Sequence, residues 1–97
     1  MPVYLIIEVT INDPEVYEEF VARVPAVVEQ YGGRCLARSG EVSTMVGDWR
    51  PERIVLIEFE SIEQVQEFFA SPEYLDLVPL REQSAATRAI IVEGYGA

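Results

Sequence analysis

Hydrophobic residues fall in short blocks whose spacing changes along the chain. Val3 to Thr10 is rich in β-branched and aromatic residues and is halted by Asn12-Asp13-Pro14, which predicts a first strand. Asp13 is placed to cap a following helix, with Pro14 at its first position. Tyr17, Phe20, Val21, Val24, Val27, Val28 and Tyr31 then recur at helical spacing until Gly32-Gly33 ends the run. Pro25 lies inside this helix, where it removes a backbone donor and predicts a kink near Arg23 to Pro25. Arg34 to Ser39 reads as a second strand and Gly40 to Asp48 as a turn or irregular hairpin arm. Arg53 to Phe59 reads as a third strand, antiparallel to the second. Ser61 followed by Gln64 resembles a capping box before a second helix whose stripe is Ile62, Val65, Phe68 and Phe69. Ser71-Pro72-Glu73 restarts a shorter helical stretch with Tyr74, Leu77, Leu80 and Arg81, interrupted at Pro79, and Arg88 to Glu93 is the fourth strand. The order β-α-β-β-α-β is an α+β, ferredoxin-like arrangement on a four-stranded sheet, one domain over 1–97.

Neither face of that sheet reads as solvated. The first strand divides into Val3, Leu5, Ile7 and Val9 against Tyr4, Ile6 and Glu8. The third divides into Val55, Ile57 and Phe59 against Ile54, Leu56 and Glu58. Helices on one side leave a second apolar face, and for so short a chain the simplest cover is another copy of itself. Two such sheets enclose a space lined by Tyr4, Ile6, Ile54, Leu56 and Ile91, ringed by Glu8, Glu58, Glu93 and Arg38. That space is either a pocket with a few polar groups or a dry dimer interface.

Composition narrows the partners. The 97 residues can bury a core, yet are few enough for a dimer to add useful burial. Seventeen acidic residues against seven arginines give a net charge of -10, which disfavours nucleic acid and anionic membrane surfaces and favours plain solubility. No cationic segment precedes the short apolar run that Glu8 ends, so a cytoplasmic location is expected. With no histidine and a single Cys35, an internal disulfide, an imidazole-held metal and a histidine base are ruled out; no metal and no cofactor are expected.

The scarce chemistry is concentrated in Gly47-Asp48-Trp49-Arg50-Pro51-Glu52-Arg53, which holds the one tryptophan and two of the seven arginines. Guanidinium groups hold carboxylates through paired hydrogen bonds and stack on rings, so this stretch suits a small anionic or aromatic ligand. The plain alternative is that Trp49 plugs one end of the core while Arg50 and Arg53 pair with surface acids. Antiparallel pairing brings Arg38, at the end of the second strand, towards Arg53, with Trp49 in the connection. Two such cations need an anion between them, supplied by a ligand or by a structural acid such as Glu93 or Asp48. Tyr74 and Arg81 are placed to line the mouth, which makes Arg38, Trp49, Arg53, Tyr74 and Arg81 the candidate ligand-binding set. Taking strands one and three as parallel neighbours brings Glu8 and Glu58 together as a candidate proton-transfer pair, unless Arg34 neutralises it. Cys35 and Met45 read as packing residues, as do Tyr17, Tyr31 and Tyr74.

Asp13-Pro14-Glu15-x-Tyr17, Val24-Pro25, Gly32-Gly33, Leu36-x-Arg38, Gly47-Asp48-Trp49-x-Pro51-x-Arg53, Glu58-Phe59, Ser71-Pro72-Glu73-Tyr74, Leu80-Arg81 and Val92-Glu93-Gly94 together resemble the bacterial domain of unknown function 1330 family. The resemblance spans almost the whole chain and implies a dimeric α/β barrel, a superfamily that includes cofactor-independent monooxygenases, muconolactone isomerase-like enzymes and heme proteins. Fold kinship does not transfer activity. Val46 stands where that pattern has a glutamate, and Phe68-Phe69 where it has a Trp-Tyr pair, so an acid is missing beside Trp49. The expectations are a homodimer that binds a small organic anion in or beside the barrel, a cofactor-independent isomerase or monooxygenase, or a structural interaction module.

Overall fold

The computed structural model describes residues 2–38 and 40–95. Its elements are β1 (Val3–Ile11), α1 (Pro14–Gln30), β2 (Arg34–Ala37), β3 (Arg53–Phe59), α2 (Ile62–Ala70), α3 (Pro72–Leu75), α4 (Val78–Ser84) and β4 (Ala85–Glu93). Ser39, expected to end the second strand, lies outside the described residues.

Local chemistry sets the helix starts. Asp13 accepts from the Val16 amide at 3.3 Å with Pro14 at the head of α1, and Ser61 accepts from the Gln64 amide at 3.2 Å ahead of α2. Gln64 reaches back to the amide of Glu60 at 2.9 Å, one residue before the position a strict capping box would use. The α1 helix runs through Pro25 without a break in its span. Pro79 falls in the first turn of α4, where its missing N–H is not needed, so it starts that helix rather than interrupting the stretch.

The sheet order is β2-β3-β1-β4 with every neighbouring pair antiparallel. This corrects the expectation that strands one and three run parallel. The crossover through α1 makes β2 parallel to β1, and the connection from β2 into β3 then reverses the chain, so β3 opposes both. The fourth strand starts at Ala85 rather than Arg88, because Ala85, Ala86 and Thr87 pair with Ile11, Thr10 and Val9 although they carry little hydrophobic signal.

One face of the sheet carries the core. Val3, Leu5, Val9, Ile57 and Phe59 are buried against Tyr17, Phe20, Val27 and Val28 of α1 and against Val65, Phe68, Tyr74 and Leu77. Gly33 marks the closest approach: a Cβ there would lie 2.7 Å from a Val28 methyl and 2.8 Å from the Phe59 ring.

Register assigns the opposite face to Tyr4, Ile6 and Glu8, to Ile54, Leu56 and Glu58, and across β4 to Arg88, Ile90 and Val92. Ile91 and Glu93, expected on this face, pair with Leu5 and Val3 and therefore belong to the helix side. A shift of one residue exchanges the faces of a strand, and the sequence pattern of β4 holds four consecutive apolar residues, Ala89 to Val92, that suit either choice. Ile90 and Val92 are 64% and 46% exposed, so the face is apolar and uncovered in the protomer.

Candidate functional site

The helix face holds an open-mouthed cavity of about 1150 Å³. It reaches every strand of the sheet, a width of roughly 14 Å at ordinary strand spacing. Ile7, Val55 and Ala89 form one row of its floor, with Val21, Val24, Phe68 and Phe69 from the helices above. On one side it is bounded by β2, all four of whose residues are exposed, and on the other by α4 and β4.

Four of the five candidate ligand-binding residues line this cavity: Arg38, Arg53, Tyr74 and Arg81. Arg38 is exposed just past β2, whereas Arg53 is half-buried, its guanidinium 5.5 Å from the centre of the Tyr17 ring. Tyr74 is buried in an aromatic group with Phe68 and Phe69, ring centres 4.7 and 5.3 Å away. Burial pushes the Tyr74 phenol above its ordinary pKa, and the Arg81 charge works against that shift. The hydroxyl is therefore neutral at physiological pH. Among the described residues, none of Arg38, Arg53 and Arg81 has a carboxylate within ion-pair distance, although Glu18 and Glu29 line the same cavity.

The fifth residue is elsewhere. The Trp49 indole donates to Glu8 Oε2 at 3.3 Å on the opposite face of the sheet, and is 56% exposed. Arg53 pairs with Val9 and so points to the helix side, which separates it from the indole. The tripartite niche of Arg38, Trp49 and Arg53 is thus divided by the sheet, and Trp49 is no core plug. Glu93, offered as its structural acid, pairs with Val3 at the far end of the sheet from Arg53. Arg38 belongs to the helix-side cavity rather than to the rim of the open face. Cys35 is exposed on its edge strand and Met45 is 88% exposed in the loop, so neither packs as expected.

The two candidate proton-transfer residues are also apart. Glu58 stands opposite Tyr4 and Glu8 opposite Ile54, four residues along β1, which is roughly 13 Å. Each has its own arginine: Arg34 bonds Glu58 at 2.9 Å, and Arg88 Nε donates to Glu8. That hydrogen bond from Arg88 lowers the Glu8 pKa, helped by Trp49 and opposed by partial desolvation. Glu73, on α3, is lowered by its own backbone N–H, by Gln30 and by Tyr31. A carboxylate depressed in the fold adds stability that is present above its ordinary value of 4.5 and is lost as pH falls through the depressed value. Denaturant midpoints should accordingly hold from pH 7 to about 5 and fall below pH 4.5, and Glu73→Gln should flatten that fall; an unchanged acid limb in the variant would remove Glu73 from the account.

Thr87 was not singled out from the sequence. It sits on β4 opposite Val9, which has Arg53 on its other side, so Arg53, Val9 and Thr87 form one row across the cavity floor. Extending the fourth strand back past Arg88 and keeping its alternation would have exposed it.

Against known families, residues 2–95 match the model described as Domain of unknown function (DUF1330). The chain belongs to that family. Among solved structures, this DUF1330 chain is similar to a protein of unknown function from Rhodopseudomonas palustris, with a TM-score of 0.82 and 17% identity over 99% of this chain and 84% of that one. It is similar to SnoaB, a cofactor-independent oxygenase from Streptomyces nogalater, with a TM-score of 0.77 and 14% identity over 99% of this chain and 95% of the other. A dimeric protein of unknown function with a ferredoxin-like fold from Bacteroides fragilis follows at a TM-score of 0.66 and 12% identity, with 96% of each chain covered. At these identities the likeness shows the fold, which is ferredoxin-like. No curated protein matches the sequence at a significant level. No helix among the described residues is long and apolar enough to cross a membrane.

Proposed function

We propose that the protein is a homodimer that binds a small organic anion in the helix-face cavity of each protomer, beside the barrel formed by the two sheets. One observation carries the reading: three guanidiniums without carboxylate partners among the described residues line a single apolar cavity in a molecule of net charge -10. Arg34 and Arg88 have taken carboxylate partners; among the described residues Arg23 and Arg50, outside the cavity, have none either, so it is the gathering of Arg38, Arg53 and Arg81 on one cavity that supports the reading. Arg38 is exposed and Arg53 and Arg81 are half-buried, so an anion that enters past Arg38 would meet the other two further in.

The test is thermal stabilisation across a panel of small organic acids, matched with their neutral amides. A ligand at 100 times its Kd stabilises the fold by about 2.7 kcal/mol, which raises the Tm of a domain of this size by roughly 10 °C or more. Arg53→Gln should reduce that shift while leaving the unliganded Tm within a few degrees. If no acid in the panel stabilises the protein, the purely structural reading takes its place.

The likeness to an oxygenase that works without a cofactor supports a second reading, in which the bound compound is also turned over. Glu8 and Glu58 belong to the other face of the sheet, so proton transfer at this cavity would fall to groups that line it, among them Tyr74 and Glu29. Oxygen uptake or product formation with a stabilising compound separates enzyme from binder.

A further inference from the structure

Two buried side-chain atoms among the described residues have no hydrogen-bonding partner in the protein: Arg81 Nε and Thr87 Oγ1. Both residues line the helix-face cavity, one from α4 above and one from β4 below. Buried polar groups are almost always paired, so two orphans on one cavity indicate what that cavity is built to meet. Elsewhere, buried hydroxyls are satisfied locally: Ser84 donates to the Leu80 carbonyl at 2.6 Å and Ser71 to the Phe68 carbonyl at 2.8 Å.

The chemistry of the two orphans restricts the occupant. Arg81 Nε can only donate and the Thr87 hydroxyl can donate, so a group that satisfies both is an acceptor. The guanidinium charge selects a negative oxygen over a neutral carbonyl, and repels ammonium groups. A carboxylate has two oxygens and a single charge, matching two donors and one cation. A phosphate dianion would bring a second negative charge that Arg81 alone does not balance. Next to Thr87 the row Val55, Ile7 and Ala89 is apolar, and the Phe69 ring lines the same cavity, which favours a hydrocarbon body with a flat face over a sugar.

We propose that Arg81 and Thr87 are the anchor for the carboxylate of a ring-bearing organic acid whose apolar body lies over Ile7, Val55 and Ala89. This rests on the reading of the cavity as a ligand site and specifies which end of it takes the charge. Arg53, on β3 two strands from β4 and stacked on Tyr17, then flanks the ring rather than the carboxylate.

The probes are 2-naphthoate and, as a cation of the same shape, 2-naphthylmethylamine, titrated calorimetrically at pH 7. Wild-type protein should bind the acid and show no measurable heat with the amine. Thr87→Val, which keeps the shape and removes the hydroxyl, should weaken naphthoate by roughly 5- to 10-fold, and Arg81→Met by roughly 10- to 100-fold. Thr87→Val should at the same time raise the Tm of the unliganded protein, since an unpaired buried hydroxyl has gone; a threonine that merely props the core would show no loss of affinity. Should Arg81→Met fold poorly, the threonine variant alone decides. Naphthoate bound with affinity changed less than twofold by either variant overturns the anchor and leaves the cavity reading in place, as does failure of naphthoate where another acid of the panel stabilises the protein. Equal binding of acid and amine overturns it too. Only silence across the whole panel removes both.

Discussion

Replacing Ile90 by arginine should convert the proposed dimer to a folded monomer at micromolar concentration, read by light scattering. Ile90 is 64% exposed in the protomer, so a single copy should tolerate arginine with a change of about 0.5 kcal/mol or less. In a face-to-face pair the same residue lies with Ile6 and Leu56 in one row across the sheet, and the substitution buries an unpaired charge in each subunit. Such a burial costs several kcal/mol per ion, and each 1.4 kcal/mol weakens association tenfold, so the Kd should rise by about a thousandfold or more. The charge pattern favours a second copy as the occupant. Glu8 and Glu58 are matched on the same face by Arg88 and Arg34, leaving it close to neutral on a molecule of charge -10. A neutral apolar face can meet its own copy without repulsion, which the acidic remainder of the surface cannot. A wild-type monomer, or an Ile90→Arg protein that stays dimeric, would sink this assignment.

Phe68→Ala should be the most destabilising single change that also reaches the site. Phe68 is 2% exposed and its ring lies 5.7 Å from Phe59, 5.2 Å from Phe69 and 4.7 Å from Tyr74. It therefore joins the core to the cavity wall. Truncating a buried phenylalanine costs about 3 to 5 kcal/mol, which in a domain of this length lowers the Tm by more than about 12 °C. Tyr74 then loses the ring that orients it, so whatever acid stabilises the wild type should bind more weakly even at temperatures where the variant is folded. Phe68→Leu, which refills much of the space, should recover most of the stability. A Phe68→Ala protein with a wild-type Tm would mean that the aromatic group is not a structural unit.

Much of the architecture was legible because it depends on short-range signals. The changes of period at Asp13-Pro14 and Gly32-Gly33, the serine caps at Ser61 and Ser71 and the apolar blocks between them depend on a few neighbouring residues each. The two-sided hydrophobicity of the first and third strands also follows from alternation alone. Register does not. The fourth strand carries Ile90, Ile91 and Val92 in succession, and only pairing with β1 shows which of them face the helices. The same gap misplaced Glu93 and drew Glu8 towards Glu58, since strand direction depends on how the crossover and hairpin close in space.

The candidate site was legible as chemistry and hidden as geometry. By itself the sequence determined that this protein is an acidic α+β chain without histidine, whose arginines are too few to be scattered without consequence, and whose sheet needs cover on both faces. Composition and period decide these because each is a sum over positions or a local repeat. Tertiary structure alone decided that Arg38, Arg53, Tyr74 and Arg81 share one cavity while Trp49, four residues from Arg53, turns to Glu8 across the sheet. It alone revealed Thr87, whose importance lies in being buried without a partner, a property of the space around a side chain rather than of the residue itself.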